Sequence, residues 1–180
     1  MPPPLTSVAF LRNLNLGQRR SHSPTRPQLL EAFAQAGAAS AVSFQTNGTV
    51  IFAPDRRSPQ RLAERAVALL TPVCEYCDMV ATRPVDWVRE LDLDEVPSHA
   101  EVSFFDGPEP FPEPLPWDPP GRGLVVIRAD SRHAVSVDDP SGSSGATWVL
   151  EDRLGVKVTS RGVPTMRRLQ TKLELLLSRT

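Results

Sequence analysis

The ten residues LRNLNLGQRR, from Leu11 to Arg20, hold three arginines, two asparagines and a glycine, with no acid among them. A second such stretch, SRGVPTMRR, runs from Ser160 to Arg168 near the other end of the chain. Guanidinium groups make paired, charge-assisted hydrogen bonds with phosphate and carboxylate, so these residue types point to an anion. In the first stretch Arg19 and Arg20 supply charge, and Gly17, beside Asn15, lets the backbone approach a ligand. In the second, Arg161 adds charge. A helix starting near Pro164 leaves the N–H groups of Thr165 and Met166 free, which favours an anion. Gln45 orients a polar group. The candidate ligand-binding residues are Asn15, Gly17, Arg19, Arg20, Gln45, Arg161 and Thr165, and the site requires the two stretches to lie near one another. A purely structural reading stays open beside it. It gives Asn15 and Gly17 to strand-exit geometry, Gln45 and Arg161 to a buried polar bridge, and Arg19 and Arg20 to a solvated loop.

Other chemistries find little support. Nucleophilic catalysis needs a Ser, Cys or Lys beside a base, and none of His22, His99 and His133 sits in a recognisable motif. GxSxG is absent, and SGSSG at 141–145 reads as a loop, lacking the strand-to-helix setting of a nucleophile elbow. No P-loop or dinucleotide fingerprint occurs. Cys74 and Cys77, in CEYC, have no second Cys or His pair to complete a zinc site; they read as two ordinary, mostly buried thiols. Asp92/Asp94 and Asp138/Asp139 offer oxygen ligands, although solvated turn acids are commoner. No catalytic residue, metal or cofactor is expected, and the reading leans away from an enzyme.

Charge is uneven along the 180 residues although it sums to −1. Residues 1–84 carry nine arginines and five acids, net +4, and residues 85–180 carry eleven basic residues and sixteen acids, net −5. Ten acids and one arginine lie between Asp86 and Asp118, whereas from Arg153 onward seven basic residues accompany Glu174 alone. Two basic ends flank an acidic middle, which suits either a shared positive surface or internal pairing. With 40% apolar residues a core is affordable. No secretory signal is visible, and no run nears the roughly 18 apolar residues that span a bilayer, so a soluble cytoplasmic protein without membrane contact is expected.

The elements that position these residues are legible. SVAFLRNL predicts a strand. TRPQLLEAFAQAG predicts a helix with a Thr25/Gln28 capping box and a left-handed Gly37. AVSFQTNGTVIFAP predicts a hairpin turning at Asn47-Gly48 as type I′. SPQRLAERAVALL predicts a helix capped by Ser58 with Pro59 next, and YCDMVATRP a strand. That order fits an antiparallel four-stranded sheet with two helices on one face, the ferredoxin-like arrangement. VDWVRELDLDEV leads on with a short helical turn. AEVSFFDG, RGLVVIRA, RHAVSVDD and VKVTSR predict strands, and ATWVLEDRLG and VPTMRRLQTKLELLLSR helices. Pro108 to Pro120 holds seven prolines in thirteen residues, which excludes regular helix, and PSGSSG reads as a flexible loop. The expected fold class is α+β: two ferredoxin-like halves with antiparallel sheets, the first helix of the second half replaced by the Pro-rich loop and a C-terminal helix added. The boundaries are 1–84, a bridge at 85–98, and 99–180.

FLRNLNLG near the start, FQTNGTVIF some thirty residues on, and VTSRGVPT before the last helix resemble, in order and spacing, the bacterial domain of unknown function family 1697. The resemblance implies an α+β fold of two ferredoxin-like halves and no established activity. Asn15, Gly17, Gln45 and Arg161 match the family pattern. Asn13 and Gln18 stand where members usually have glycine, the hairpin is one residue longer at Asn47-Gly48, and Gly162 and Val163 replace an asparagine and a tryptophan.

The function expected is a noncatalytic binding or regulatory module for a phosphate-bearing small molecule or nucleic acid. The strand TVIFA carries only Phe52, so base stacking on aromatics is not expected. Binding by charge would draw on Arg12, Arg19, Arg20, Arg161, Arg167 and Arg168. The alternatives are a metal-independent transferase or hydrolase acting on a phosphorylated compound, and a protein-interaction module using PEPFPEPLPWDPP.

Overall fold

The computed structural model describes residues 3–18, 22–139 and 145–178. The chain forms two compact units, Met1–Leu91 with Gln170–Thr180, and Asp92–Leu169. The division falls at two points, between Leu91 and Asp92 and between Leu169 and Gln170, so the end of the chain is grouped with the first unit.

The first unit runs β1 (Ser7–Leu11), α1 (Arg26–Ala36), β2 (Ala38–Phe44), β3 (Thr49–Pro54), α2 (Pro59–Cys74), β4 (Val80–Pro84) and α3 (Val85–Glu90). Its strands order β2-β3-β1-β4, all neighbours antiparallel, which is the ferredoxin-like sheet. The helix signals act as read. Thr25 and Gln28 form both halves of the capping box, and Gly37 closes α1 at φ 112. Ser58 accepts from the Arg61 N–H at the start of α2. Ala9, Leu11, Val50 and Phe52 of the sheet pack on Leu29 and Phe33 of α1 and Leu62, Ala66 and Leu70 of α2. Phe33 meets Phe52 edge to face, centroids 5.2 Å apart. Burying each such side chain contributes roughly 1.5–3 kcal/mol.

The hairpin tip differs from the predicted turn. Phe44 pairs with Thr49, so the loop has four residues, 45–48, and positive φ falls on Gln45 (54°) and Gly48 (68°) rather than on Asn47 and Gly48. The cause lies in the neighbouring segment. Leu16 N–H donates to the Thr46 carbonyl at 2.8 Å and Leu11 N–H to the Gly48 carbonyl at 2.9 Å, while the Asn47 side chain accepts from the Thr49 hydroxyl.

The second unit holds β5 (Ala100–Phe104), β6 (Leu124–Ala129), β7 (His133–Asp138), α4 (Ala146–Leu154), β8 (Thr159–Gly162) and the first turns of α5 (Val163–Leu177). Its order, β6-β7-β5-β8, repeats the first sheet with the proline loop in place of one helix. That loop is fastened. Trp117 exchanges both backbone bonds with Val126, and its ring meets Phe111 edge-on. Phe111 joins Phe105, Leu124, Val126, Val149 and Leu150 in the core.

On α5 the apolar residues Met166, Leu169, Leu173 and Leu176 recur at three- and four-residue steps; the first three are buried and Leu176 is half-buried. Within the first unit Gln170 donates to the Val88, Arg89 and Leu91 carbonyls, satisfying acceptors that the end of α3 leaves open. The cysteines correct one expectation: both are free, Cys74 is half-buried and Cys77 exposed, because α2 ends at Cys74 and Cys77 lies beyond the packed helix. PSGSSG falls largely outside the described residues. Among those described, no helix is long and apolar enough to cross a membrane.

Candidate functional site

Past Leu11 the chain leaves β1 and folds back on itself. Arg12 pairs with Asp78 at 2.9 Å, Asn13 donates to the same carboxylate, and the Tyr76 hydroxyl donates to the Arg12 carbonyl at 2.6 Å. The first arginine of the motif therefore anchors the loop. The Asn15 N–H then donates to Ser23 Oγ at 3.0 Å, and the Gly17 N–H to the Pro24 carbonyl at 3.1 Å. Together with the Leu16–Thr46 bond, these draw loop 12–18 onto the hairpin tip and the lead into α1. Arg26, in the first turn of α1, donates from Nη2 to the Gln45 carbonyl at 3.0 Å.

Asn15, Gly17 and Gln45 are thus gathered on one exposed region of the first unit, joined by Arg26, which the motif reading did not single out. Its signal was position, directly after the Thr25 cap. Gly17 is explained by its φ of 79°; a Cβ there would meet nothing within 4 Å, and its N–H is already engaged. Arg19 and Arg20 lie outside the described residues.

Arg161 and Thr165 belong to the second unit. Arg161 is 8% exposed and donates from Nη1 to Thr159 Oγ1 at 3.0 Å and to the Ser160 carbonyl at 2.8 Å. Thr165 accepts from Arg168 at 3.2 Å, and Arg167 donates to the Leu93 and Val96 carbonyls. Arg161 has a counterpart. Val102 stands opposite Arg161 across β5 and β8, as Val8 stands opposite Arg83 across β1 and β4. Arg83 is also buried and donates to the carbonyl of its preceding residue, Thr82, at 2.7 Å. SVAFL thus corresponds to EVSFF, and TRPV to SRGV, each of the latter opening a helix. No repeat was evident in the sequence because so few positions persist, and they align only once strand register is known.

Residues 5–108, which include loop 12–18 and the hairpin, match the family model described as Protein of unknown function (DUF1697). The match spans more than half of the chain. The protein belongs to this family. Its structure is similar to that of the conserved bacterial protein SP0830 from Streptococcus pneumoniae, 11% identical, with a TM-score of 0.62 over 96% of this chain and 99% of that one. At that identity the likeness is one of fold. No curated protein matches the chain. The DUF1697 match takes in the whole first sheet and ends just past β5, so Arg161 and Thr165 lie beyond it.

Two described carboxyls of the second unit, Glu101 and Asp138, have raised pKa values. Burial, then the nearby Asp138 charge, raises Glu101 above its ordinary 4.5, against the hydrogen bond it accepts from the Ala146 N–H. Burial also raises Asp138, opposed by His99. An acid raised in the folded state keeps its proton longer there than in the unfolded chain. Stability therefore falls as pH climbs from the unfolded value through the folded one, and the full penalty stands above both. Glu101→Gln removes that penalty while keeping an acceptor for Ala146. Urea unfolding should show the variant more stable than wild type at pH 7.5, with the gain shrinking toward pH 4; equal gains at both pH values would contradict this origin.

Among the described residues no group of three or more His, Cys, Asp or Glu is placed to hold a metal. Asp92 accepts from the Asp94 N–H and pairs with Arg128, as a turn acid does.

Proposed function

We propose that this DUF1697 protein is a noncatalytic binding module whose first unit takes an anionic, phosphate-bearing ligand where loop 12–18, the hairpin tip and the start of α1 meet. The supporting observation is Arg26. It is exposed, its hydrogen bond goes to a neutral carbonyl, and among the described residues no carboxylate pairs with it. Its charge adds to the positive end of α1, and loop 12–18 presents an exposed Asn15 whose backbone N–H is already bonded to Ser23. Arg19 and Arg20 follow in the sequence and add charge. Arg161, with its side chain buried and bonded, serves mainly to hold β8.

A thermal-shift series with pyrophosphate, nucleoside triphosphate, sugar phosphate and short RNA tests this. Pyrophosphate or a larger phosphate compound should raise the Tm. The shift should fade at about 1 M salt, where the Debye length is about 3 Å, and shrink in Arg26→Ala. An unchanged shift in that variant, or no shift with any compound, removes the proposal. Turnover of a phosphorylated compound would replace it with the transferase or hydrolase reading.

A second reading, a protein partner on the proline loop, draws on Leu115, which is 41% exposed between two prolines. Leu115→Asp is the suitable probe, since deleting 109–119 would also remove Phe111 and Trp117 from the core.

A further inference from the structure

A sheet edge presents unpaired N–H and C=O groups that take up another strand unless something covers them. The two sheets end in four edge strands, β2 and β4 in the first unit and β6 and β8 in the second. Three of them are covered. On β4 the Gln60 side chain donates to the Val80 carbonyl at 2.9 Å and accepts from the Thr82 N–H at 3.1 Å, and Arg83 donates to the Thr82 carbonyl. On β6 Trp117 holds both the N–H and the carbonyl of Val126. On β8 Arg161 donates to the Ser160 carbonyl, and Glu151 accepts from the Val158 N–H just before the strand.

The fourth edge, β2, is bare. Backbone groups alternate in direction along an antiparallel strand. The Leu11 N–H donates to the Gly48 carbonyl and Ala9 stands opposite Val50, so Val50 turns its groups to β1. Thr49 and Ile51 then turn theirs to β2, opposite Phe44 and Val42. The N–H and C=O groups of Ala41 and Ser43 therefore point outward, and among the described residues nothing bonds to them. Ala39 is exposed, and Ala38 and residues 40–43 are half-buried. The strand also lacks the residues that blunt an edge, for AASAVSF holds no charge and no proline. In the second sheet β6 occupies the place of β2, and there Trp117 already adds an antiparallel bridge.

We propose that β2 pairs antiparallel with β2 of a second copy of this chain, about a two-fold axis at Val42. Ala41 then stands opposite Ser43 of the other copy and Ser43 opposite its Ala41. Each such pair exchanges both of its hydrogen bonds, so every outward group of Ala41 and Ser43 is used. An axis at Ala41 would set Ser43 against Ala39, beside the register shift between Ala38 and Ser40. An axis at Ser43 would set Ala41 against Gln45, whose φ of 54° has left the strand. An identical partner suits this edge better than a foreign peptide. Strand addition draws its affinity from the backbone and its selectivity from side-chain pockets, and alanine and serine leave no pocket with which to select a sequence. Self-pairing brings no like charges together, and an isologous contact closes at two copies. The pairing stands independently of the anionic ligand proposed above.

Analytical ultracentrifugation of the full chain, between about 5 and 500 µM, tests this. The mass should climb with concentration from 19.8 kDa toward twice that value. Ala41→Pro removes an outward N–H and leaves the bonds to β3, as proline on an edge strand can; it should weaken dimerisation at least about tenfold. Val42→Cys, in a chain also carrying Cys74→Ser and Cys77→Ser, sets two thiols at the axis. Their Cα atoms would lie about 4.5 Å apart, within disulfide reach, so oxidised glutathione should yield a covalent dimer. Gln35→Cys in the same background, an exposed position on α1, should not cross-link. Circular dichroism establishes that each variant is folded, and the cross-link decides if Ala41→Pro is not. A monomer throughout the concentration range, a dimer that a folded Ala41→Pro chain keeps at full strength, or cross-linking as fast through Gln35→Cys as through Val42→Cys overturns the proposal.

Discussion

Arg161→Ala is expected to lower the unfolding free energy by about 2–4 kcal/mol, seen as a large fall in Tm, while the phosphate-induced shift of whatever protein remains folded is kept. The size follows from the partners left behind. Arg161 Nη1 serves the Thr159 hydroxyl and the Ser160 carbonyl, and hydrogen bonds to charged groups are worth about 1.5–3 kcal/mol each. Relief of the buried guanidinium offsets part of that loss, since a desolvated charge is itself costly. Arg161→Met separates the contributions. It keeps most of the volume and removes the donors, so it should recover only the packing part. Arg83→Ala should behave alike, because Arg83 occupies the same register position against β1 and is 2% exposed. Loss of the phosphate response in a well-folded Arg161→Ala protein would instead make Arg161 a ligand contact. A Tm within a degree of wild type would remove its structural role.

The halves differ in how readable they were. The Thr25/Gln28 capping box, the Ser58 cap, the proline punctuation and the α5 stripe are local signals, and a local cause such as Thr25 bonding Gln28 acts much the same in any context. Element order then sufficed for the two sheets, since βαββαβ has few compact solutions. The hairpin tip failed for a nonlocal reason. Asn-Gly favours a two-residue turn in isolation, but Leu11 at the end of β1 and Leu16 in loop 12–18 take the Gly48 and Thr46 carbonyls, and that demand is invisible to a window around residue 47.

The candidate site shows the same boundary. Motif and turn chemistry single out Asn15, Gly17 and Gln45 as candidates. Arg12 looked like an anion ligand until Asp78, distant in sequence, was seen to pair with it. Arg26 was passed over as an ordinary first-turn residue, and the hydrogen bond to the Gln45 carbonyl that distinguishes it is tertiary.

Gly48 links the fold to the proposed anionic site most directly, and Gly48→Ala should cost about 2–5 kcal/mol. Two effects add. A left-handed φ, here 68°, costs a non-glycine residue about 1–2 kcal/mol. The new Cβ would also stand 2.9 Å from Leu14 Cβ and 3.2 Å from both Leu11 Cβ and the Leu11 carbonyl oxygen. Cβ and backbone atoms cannot rotate away, so the buried Leu11 and Leu14 have to shift, an overpacking cost of about 1–3 kcal/mol. Gly48→Asn distinguishes the two effects. Asparagine tolerates the left-handed region but brings the same Cβ, so it should recover little. Gly17→Ala is the control: its φ of 79° is similar, yet its Cβ position is open, and it should lose only about 1–2 kcal/mol. Because Leu14 lies in loop 12–18, Gly48→Ala should also weaken the pyrophosphate shift at temperatures where the protein is still folded. Urea unfolding and the thermal-shift series read both outcomes, and a Gly48→Asn protein as stable as wild type would show that the contact with Leu14 and Leu11 is not what demands glycine.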